Sequence, residues 1–283
     1  MGCMKQGGPR FASRRLLLAG LAALAWPAFG QPAQRRLVVG VEDALYLSGL
    51  ATRLAQTLER DTGLVIAWRA GASGALLARL ERGELDAAIT HAPDIELALS
   101  RQNLVHDRRP IANTALLLVG PPRRPQTRRA AASGDPAGVA GERDVVAALG
   151  RIKLAGERGE AAYVASGEVS GVELMERSLW AAVGPRTAAP WWHTAGTGAG
   201  AVLARARALS AYALVERGVW QALGSKSGLA ALSEGDARLA VTYHVMRAFR
   251  APHPGGKLMV NWLAGHNGQG VVAGYGRGYR SVA

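Results

Sequence analysis

The chain has 283 residues, 49% of them hydrophobic, which supports a sizeable core and two domains of ordinary size and excludes global disorder. Aromatic residues make up only 6%, so Ala, Val and Leu must do most of the packing. The formal charge is +13; Lys5, Arg10, Arg14 and Arg15 supply four of these units from the first thirty residues, which hold no acid, leaving +9. The remainder is scattered along helical stretches such as "RLERGELD" or gathered in "RRPQTRR" (residues 123–129), a Pro-containing run without aromatics. That pattern reads as a solvated basic surface and not as a nucleic-acid footprint. The one cysteine, Cys3, lies in the leader, so the mature chain has no disulfide, no thiolate metal site and no thiol nucleophile.

The leader comes first in the chain. In "SRRLLLAGLAALAWPAFGQ" two arginines precede a short apolar run that ends in small residues around Ala28 and Gly30. Residues 1–30 therefore read as a secretory signal peptide, too short to span a membrane comfortably. Ser13-Arg14-Arg15 followed by Leu17 and Leu18 also fits a twin-arginine signal, and both export readings stay open. Cys3 precedes the apolar run and cannot be a lipid-anchor cysteine following it. No later segment reaches transmembrane length, and the mature chain is expected to start near Gln31 outside the cytoplasm.

"RRLVVGVE" is a strand entering a turn, and Leu50, Leu54 and Leu58 then repeat at helical spacing up to a stop at Gly63. "LVIAWRAG" is the next strand, "SGALLARLERGE" a helix from Ser73, and "LDAAIT" a third strand that runs into His91 and a helix start at Pro93. This β-α-β-α-β order predicts a parallel sheet with covering helices, and ligands in such sheets sit beyond the carboxyl ends of the strands. "RRPIANTALLLVGP" is a strand long enough to leave the domain, and the Pro-, Gly-, Arg- and Ala-rich stretch after it reads as a boundary loop. The pattern then restarts with a helix over 145–154, strand "AAYVAS", helix "GVELMERSLWAAVG", a strand near Trp192, helix "GAVLARARAL" and strand "AYALVERG". "ARLAVTYHVMRAF" reads as a strand returning to the first domain, and residues 258–276 as a closing helix pair. One domain interrupted by another implies two crossing segments, a hinge, and a cleft between lobes.

With these pieces in order, the sequence resembles the tungstate-binding proteins of ABC importers, within the two-lobed periplasmic solute-binding proteins. The resemblance covers about residues 37–276. It is carried by "SGL" at Ser48, "GASGAL" at Gly71, "GELDAAITHAP" at Gly83, "RRPIANTALLLVGP" at Arg108, "SLWAAVG" at Ser178, "GTGAGAVL" at Gly196 and "EGDARL" at Glu234. It implies a type II binding-protein fold of α/β class, each lobe a sheet flanked by helices. Lobe 1 would hold residues 35–120 and 230–283, and lobe 2 residues 121–229, with a basic insertion near 123–133. It also implies capture of a tetrahedral oxyanion (tungstate or molybdate) in the cleft, handover to a membrane permease, a periplasmic location, a monomer, no cofactor and no catalysis.

The first strand departs from this family at its end. Where the family has a Thr/Ser run, this chain has Val41, Glu42, Asp43, Ala44 and Leu45, which removes hydroxyl donors and adds two carboxylates. In the second lobe the family's pattern is replaced by residues 165–173; Ser170 with Gly167 and Gly171 survives, Ser166 stands in for a lost hydroxyl, and the family's Arg, Thr and His are missing. Candidate ligand contacts are therefore Glu42, Asp43, Ser73, Arg109 (or its neighbour Arg108), Asn113, Ser166, Ser170, Thr197 and Gly198. Glu42 and Asp43 read either as a solvated turn or helix cap or, with Glu168 and Glu173 facing them, as recognition of an amine, another cation or a metal. His91 is expected to hydrogen-bond the backbone and fix the following helix start. Trp191, Trp192 and His193 are expected to be core and hinge packing. Ser170 with His91 or His193 and Asp86 makes a hydrolase triad only on paper, since no nucleophile elbow or His-Glu-x-x-His motif is present.

Overall fold

Short apolar strands that end directly in helix starts set the sheet of this protein. The structure is a computed structural model that describes residues 1–2, 36–123, 134–184, 189–250 and 253–282. Residues 3–30 of the expected signal peptide and all of the basic insertion except Arg123 lie outside the described residues. The first half begins with β1 (Leu37–Glu42), α1 (Asp43–Leu47), α2 (Leu50–Thr62), β2 (Ile66–Gly71), α3 (Ser73–Glu81), β3 (Ala87–Thr90) and α4 (Pro93–Arg101). Leu50, Leu54 and Leu58 lie on the buried face of α2, as their spacing predicts. Gly63 stops that helix in the left-handed region (φ 72°), where its N–H closes on Glu59 O at 2.8 Å.

The sixteen-residue β4 (Val105–Gly120) leaves the first half. It is followed by α5 (Val145–Glu157), β5 (Tyr163–Ala165), α6 (Gly171–Val183), β6 (Trp192–Thr194), α7 (Ala199–Leu209), β7 (Ala213–Glu216), α8 (Arg217–Leu223) and β8 (Ala230–Ser233). The return strand β9 (Ala240–Ala248) and the helix pair α9 (Gly255–Ala264) and α10 (His266–Tyr275) complete the chain.

Strand order is β2-β1-β3-β9-β4-β7, with β8 also on β4. β1 lies parallel to β2 and β3, and β9 is antiparallel to both β3 and β4. β4 pairs with β9 from Val105 to Ala115, then with β7 and β8 from Leu116 to Gly120. β8 lies just beyond the expected boundary at residue 229 and pairs with that same end of β4. β5 and β6 form a parallel pair, tied to the residue before β7 through the Tyr163–Tyr212 bridge. β4 outward and β9 inward are the two crossings between the halves, and residues 35–283 form one compact unit.

The expectation of core packing at Trp191 and Trp192 meets a dense aromatic cluster. Tyr163 stacks on Trp192 at 5.0 Å and meets Trp180 edge-on at 4.9 Å, while Trp191 touches both tryptophans. Gly156 of α5 lies flat under Trp191, and a Cβ there would come within 2.5 Å of the indole. In an exposed helix Gly→Ala stabilises by up to about 1 kcal/mol. Here the sign should reverse: Gly156→Ala is expected to cost about 1–3 kcal/mol through overpacking and to lower the melting temperature by several degrees in a calorimetric scan.

Candidate functional site

The carboxyl ends of β1 and β7 face each other across the seam between the halves. Each strand is apolar up to its last residue, and that residue is a buried glutamate followed at once by a helix: Glu42 before α1 and Glu216 before α8. They line a small pocket with Asp43, Glu168, Ser166 and Ser170, closed by Val172, Val202 and Leu214. Among the described residues no Lys, Arg or His lines it. About 20 Å³ is open to the centre of a water-sized sphere, room for roughly one water.

Glu42 is 2% exposed and accepts a hydrogen bond from the Ser73 hydroxyl at the start of α3. The N–H of Gly171, the first residue of α6, acts on the same carboxyl. Burial dominates and lifts Glu42 to about 8; Ser73 and Gly171 pull it down, and the nearby Glu216 and Asp43 push it up. Glu216 is 1% exposed and is lifted by burial to about 7, although the Tyr243 and Tyr279 hydroxyls both donate to it. Asp43 is raised by burial first and by Glu168 second. Glu168 accepts the Gly198 N–H at 2.6 Å, just before α7, and Gly198 adopts φ 89° there. Ser170 caps α6 by accepting the Glu173 N–H at 3.1 Å, and its Oγ lies 3.2 Å from Ser166 Oγ. Buried Glu176 holds Ser166 in place by accepting its N–H at 3.0 Å.

The structure thus brings together Glu42, Asp43, Ser166, Ser170 and Gly198, with Ser73 bonded directly behind Glu42. It does not bring in the other three candidates. Arg109 is exposed on β4, and the neighbouring Arg108 forms an ion pair with fully buried Glu96 at 2.8 Å. Asn113 is engaged within the crossing strands, accepting from the Thr242 hydroxyl at 2.8 Å. Thr197 is exposed in the turn before Gly198. Of the two acids expected opposite, Glu168 lines the pocket, while Glu173 pairs with Arg177 along α6 at 2.8 Å. Glu216 was not among the sequence candidates; the signal that could have found it is the shared pattern of an apolar strand ending in Val-Glu at a helix start.

His91 departs from expectation. Its backbone N–H donates to Ser73 Oγ at 3.2 Å, but its buried ring nitrogen Nε2 has no hydrogen-bond partner among the described residues. The ring packs against Tyr243 and lies so close over Gly171 that a Cβ there would come within 2.1 Å of it. The helix start after it is fixed instead by Glu96, which accepts from the Thr90 hydroxyl at 2.7 Å and the Ala92 N–H at 2.8 Å. Asp86 accepts the Val38 N–H at 2.8 Å, and Ser170 is committed to its cap, so the paper triad is not assembled.

These groups give stability a pH profile. An acid held above its unfolded value, here 4.5, contributes stability that is complete below that value and lost as pH rises through about 7 and about 8 for Glu216 and Glu42. His91 and His244 are displaced the other way by burial, from 6.5 to about 4, so their contribution is present above 6.5 and lost as pH falls toward 4. Stability should therefore decline on both sides, and Glu42→Gln should flatten the alkaline side alone. Melting temperatures of wild type and variant between about pH 4 and 9 check this, and parallel profiles would refute it.

Comparison with known proteins speaks to family and fold. Residues 30–265 match the model of the PBP superfamily domain. The tungstate-binding protein TupA of Peptoclostridium acidaminophilum is 25% identical over 237 residues, spanning 81% of this chain and 78% of its own. Among solved structures, that of the tungstate ABC transporter from Geobacter sulfurreducens is similar with a TM-score of 0.72 at 25% identity, covering 86% of this chain and 100% of that one. The tungstate-binding protein TupA of Desulfovibrio alaskensis G20 is similar with a TM-score of 0.68 at 26% identity, covering 87% and 98%. These relatives are binding proteins and not enzymes. The mixed α/β fold and the family match across most of its length show that this chain belongs to the PBP superfamily of solute-binding proteins.

Proposed function

We propose that this chain is the exported solute-binding component of an ABC importer, and that the solute it captures between its halves carries a small protonated amine. The observation that carries the ligand class is the lining of the pocket: Asp43 and Glu168, with Glu42 and Glu216 behind them, and no cationic side chain among the described residues. Magnitudes favour this choice. A carboxylate about 4 Å from a unit charge is worth roughly 4 kcal/mol at an effective dielectric near 20, which is about three decades of affinity. That term attracts an ammonium group and repels a tetrahedral dianion twice over. Among the described residues no three His, Cys, Asp or Glu side chains are grouped to enclose a metal ion, whereas an ammonium head needs acceptors on one side only. Val172, Val202 and Leu214 suit the adjoining carbons, and the free space matches one non-hydrogen head-group atom.

Transport, the permease and the periplasmic location rest on the relatives. Among the described residues no helix is long and apolar enough to cross a membrane. A second reading keeps the relatives' ligand class, a tungstate-like oxyanion. It is favoured by the serine hydroxyls of Ser166 and Ser170 and by Glu42 and Glu216, which in their protonated form can donate hydrogen bonds.

A thermal-shift panel separates the two. Ammonium, methylammonium and 1,4-diaminobutane should raise the melting temperature, by roughly 5–10 °C at a hundredfold excess over the dissociation constant. Asp43→Asn or Glu168→Gln should weaken that response at least about tenfold. A shift produced by tungstate and molybdate alone would overturn the amine reading in favour of the second.

A further inference from the structure

Several of the hydrogen-bond donors that converge on the seam are already taken, two of them by the protein's own acids. Glu42, at the end of β1, bonds the Ser73 hydroxyl at the start of α3 and faces the Gly171 N–H at the start of α6. It therefore bonds the helix start of one half and faces that of the other. Glu168 takes the Gly198 N–H in front of α7. Next to them the Gly74 N–H donates to Val169 O at 2.9 Å, a direct backbone bond across the same seam. Hydroxyls and N–H groups at helix starts are the donors that a free oxyanion needs. Here an oxyanion would meet them filled, with room for roughly one water beside them.

We infer that Glu42 is the specificity-determining residue of the cleft: its carboxyl is a tethered occupant of the oxyanion donors, joining α3 to α6 and denying those donors to a free anion. Glu168 does the same for α7 in a supporting role. The inference rests on the reading that the seam pocket is the solute site; it does not require the natural solute to be an amine.

Occupancy and acidity are separable. Glu42→Gln removes the ionisable carboxyl but keeps a side chain of the same shape in place. Glu42→Ser empties the position and leaves a hydroxyl. Molybdate is the probe, followed by titration calorimetry on wild type, Glu42→Gln, Glu42→Ser and the Glu42→Ser/Glu168→Ser pair. Wild type and Glu42→Gln should show no saturable heat. Glu42→Ser should bind molybdate at least tenfold more tightly than wild type, and the pair more tightly again. Melting curves of each variant establish that it is folded. The inference is overturned if folded Glu42→Ser and the pair gain no affinity, if Glu42→Gln gains as much as Glu42→Ser, or if wild type already binds molybdate. Loss of the amine response in wild type, scored in the same samples, would remove the amine reading and leave this one standing.

Discussion

The strand β4 is bonded to β9 over its first length and to β7 and β8 over its last. Buried backbone groups must be paired, so the two halves cannot part along β4 without breaking a ladder. The partners of β4 change between Ala115, which faces Ala240 at the start of β9, and Leu116, which faces β7. This constraint also fixes the site. With β4 held on both sides, the ends of β1 and β7 are brought face to face, and the last residue of each is the glutamate that lines the pocket. A hinge made of two strands and a cleft made of strand ends are the same fact of topology.

Two buried glutamates at one seam are costly unless each is neutralised or bonded, since an unpaired buried charge is far more expensive than a lost contact. The structure uses hydroxyl donors in both places. Ser73 serves Glu42, while Tyr243 from β9 and Tyr279 from beyond α10 serve Glu216. The tyrosines also tie the crossing strand and the C-terminal segment to the end of β7. Burial still outweighs these donors, which is why both acids hold their protons well above the usual range. Glu96 shows the contrast: it too is raised by burial, yet it has Arg108 as a partner and organises the start of α4 away from the pocket.

Much of the fold was legible in the sequence because its signals are local. The leucine spacing of α2, the stop at Gly63, and the apolar runs of β1, β3 and β7 each depend on a few consecutive residues. α1 and β8 were not legible: five residues of DALYL and four of AALS are too short to show a period. In the site, Glu42 and Asp43 stood out because acids end an otherwise apolar strand. Arg109 and Arg108 could not be told apart, because β4 has register shifts on both sides of Arg109 that decide which arginine faces inward. Thr197 and Gly198 were candidates together; the donor that serves the site is the Gly198 N–H, as a helix start at that turn implies. His91 was expected to satisfy its ring on the backbone; burial between Tyr243 and Gly171 leaves one ring nitrogen bare, a result of packing between distant segments.

The pocket's reversal of charge is compatible with an unchanged scaffold because the two depend on different residues. The sheet order rests on β4, β9 and the apolar faces of β1, β3 and β7, none of which needs a hydroxyl or an arginine at the seam. The helix starts of α3, α6 and α7 keep their preference for negative charge whatever lines the cleft. Once carboxyls stand at 42 and 168, that preference is met from within the chain, and the outward faces of the same carboxyls become acceptors. In the reading proposed above, a donor set suited to an anion becomes an acceptor set for a cation by occupation. The fold itself carries no vote on the ligand, and in that reading its class follows from the side chains at 42 and 168.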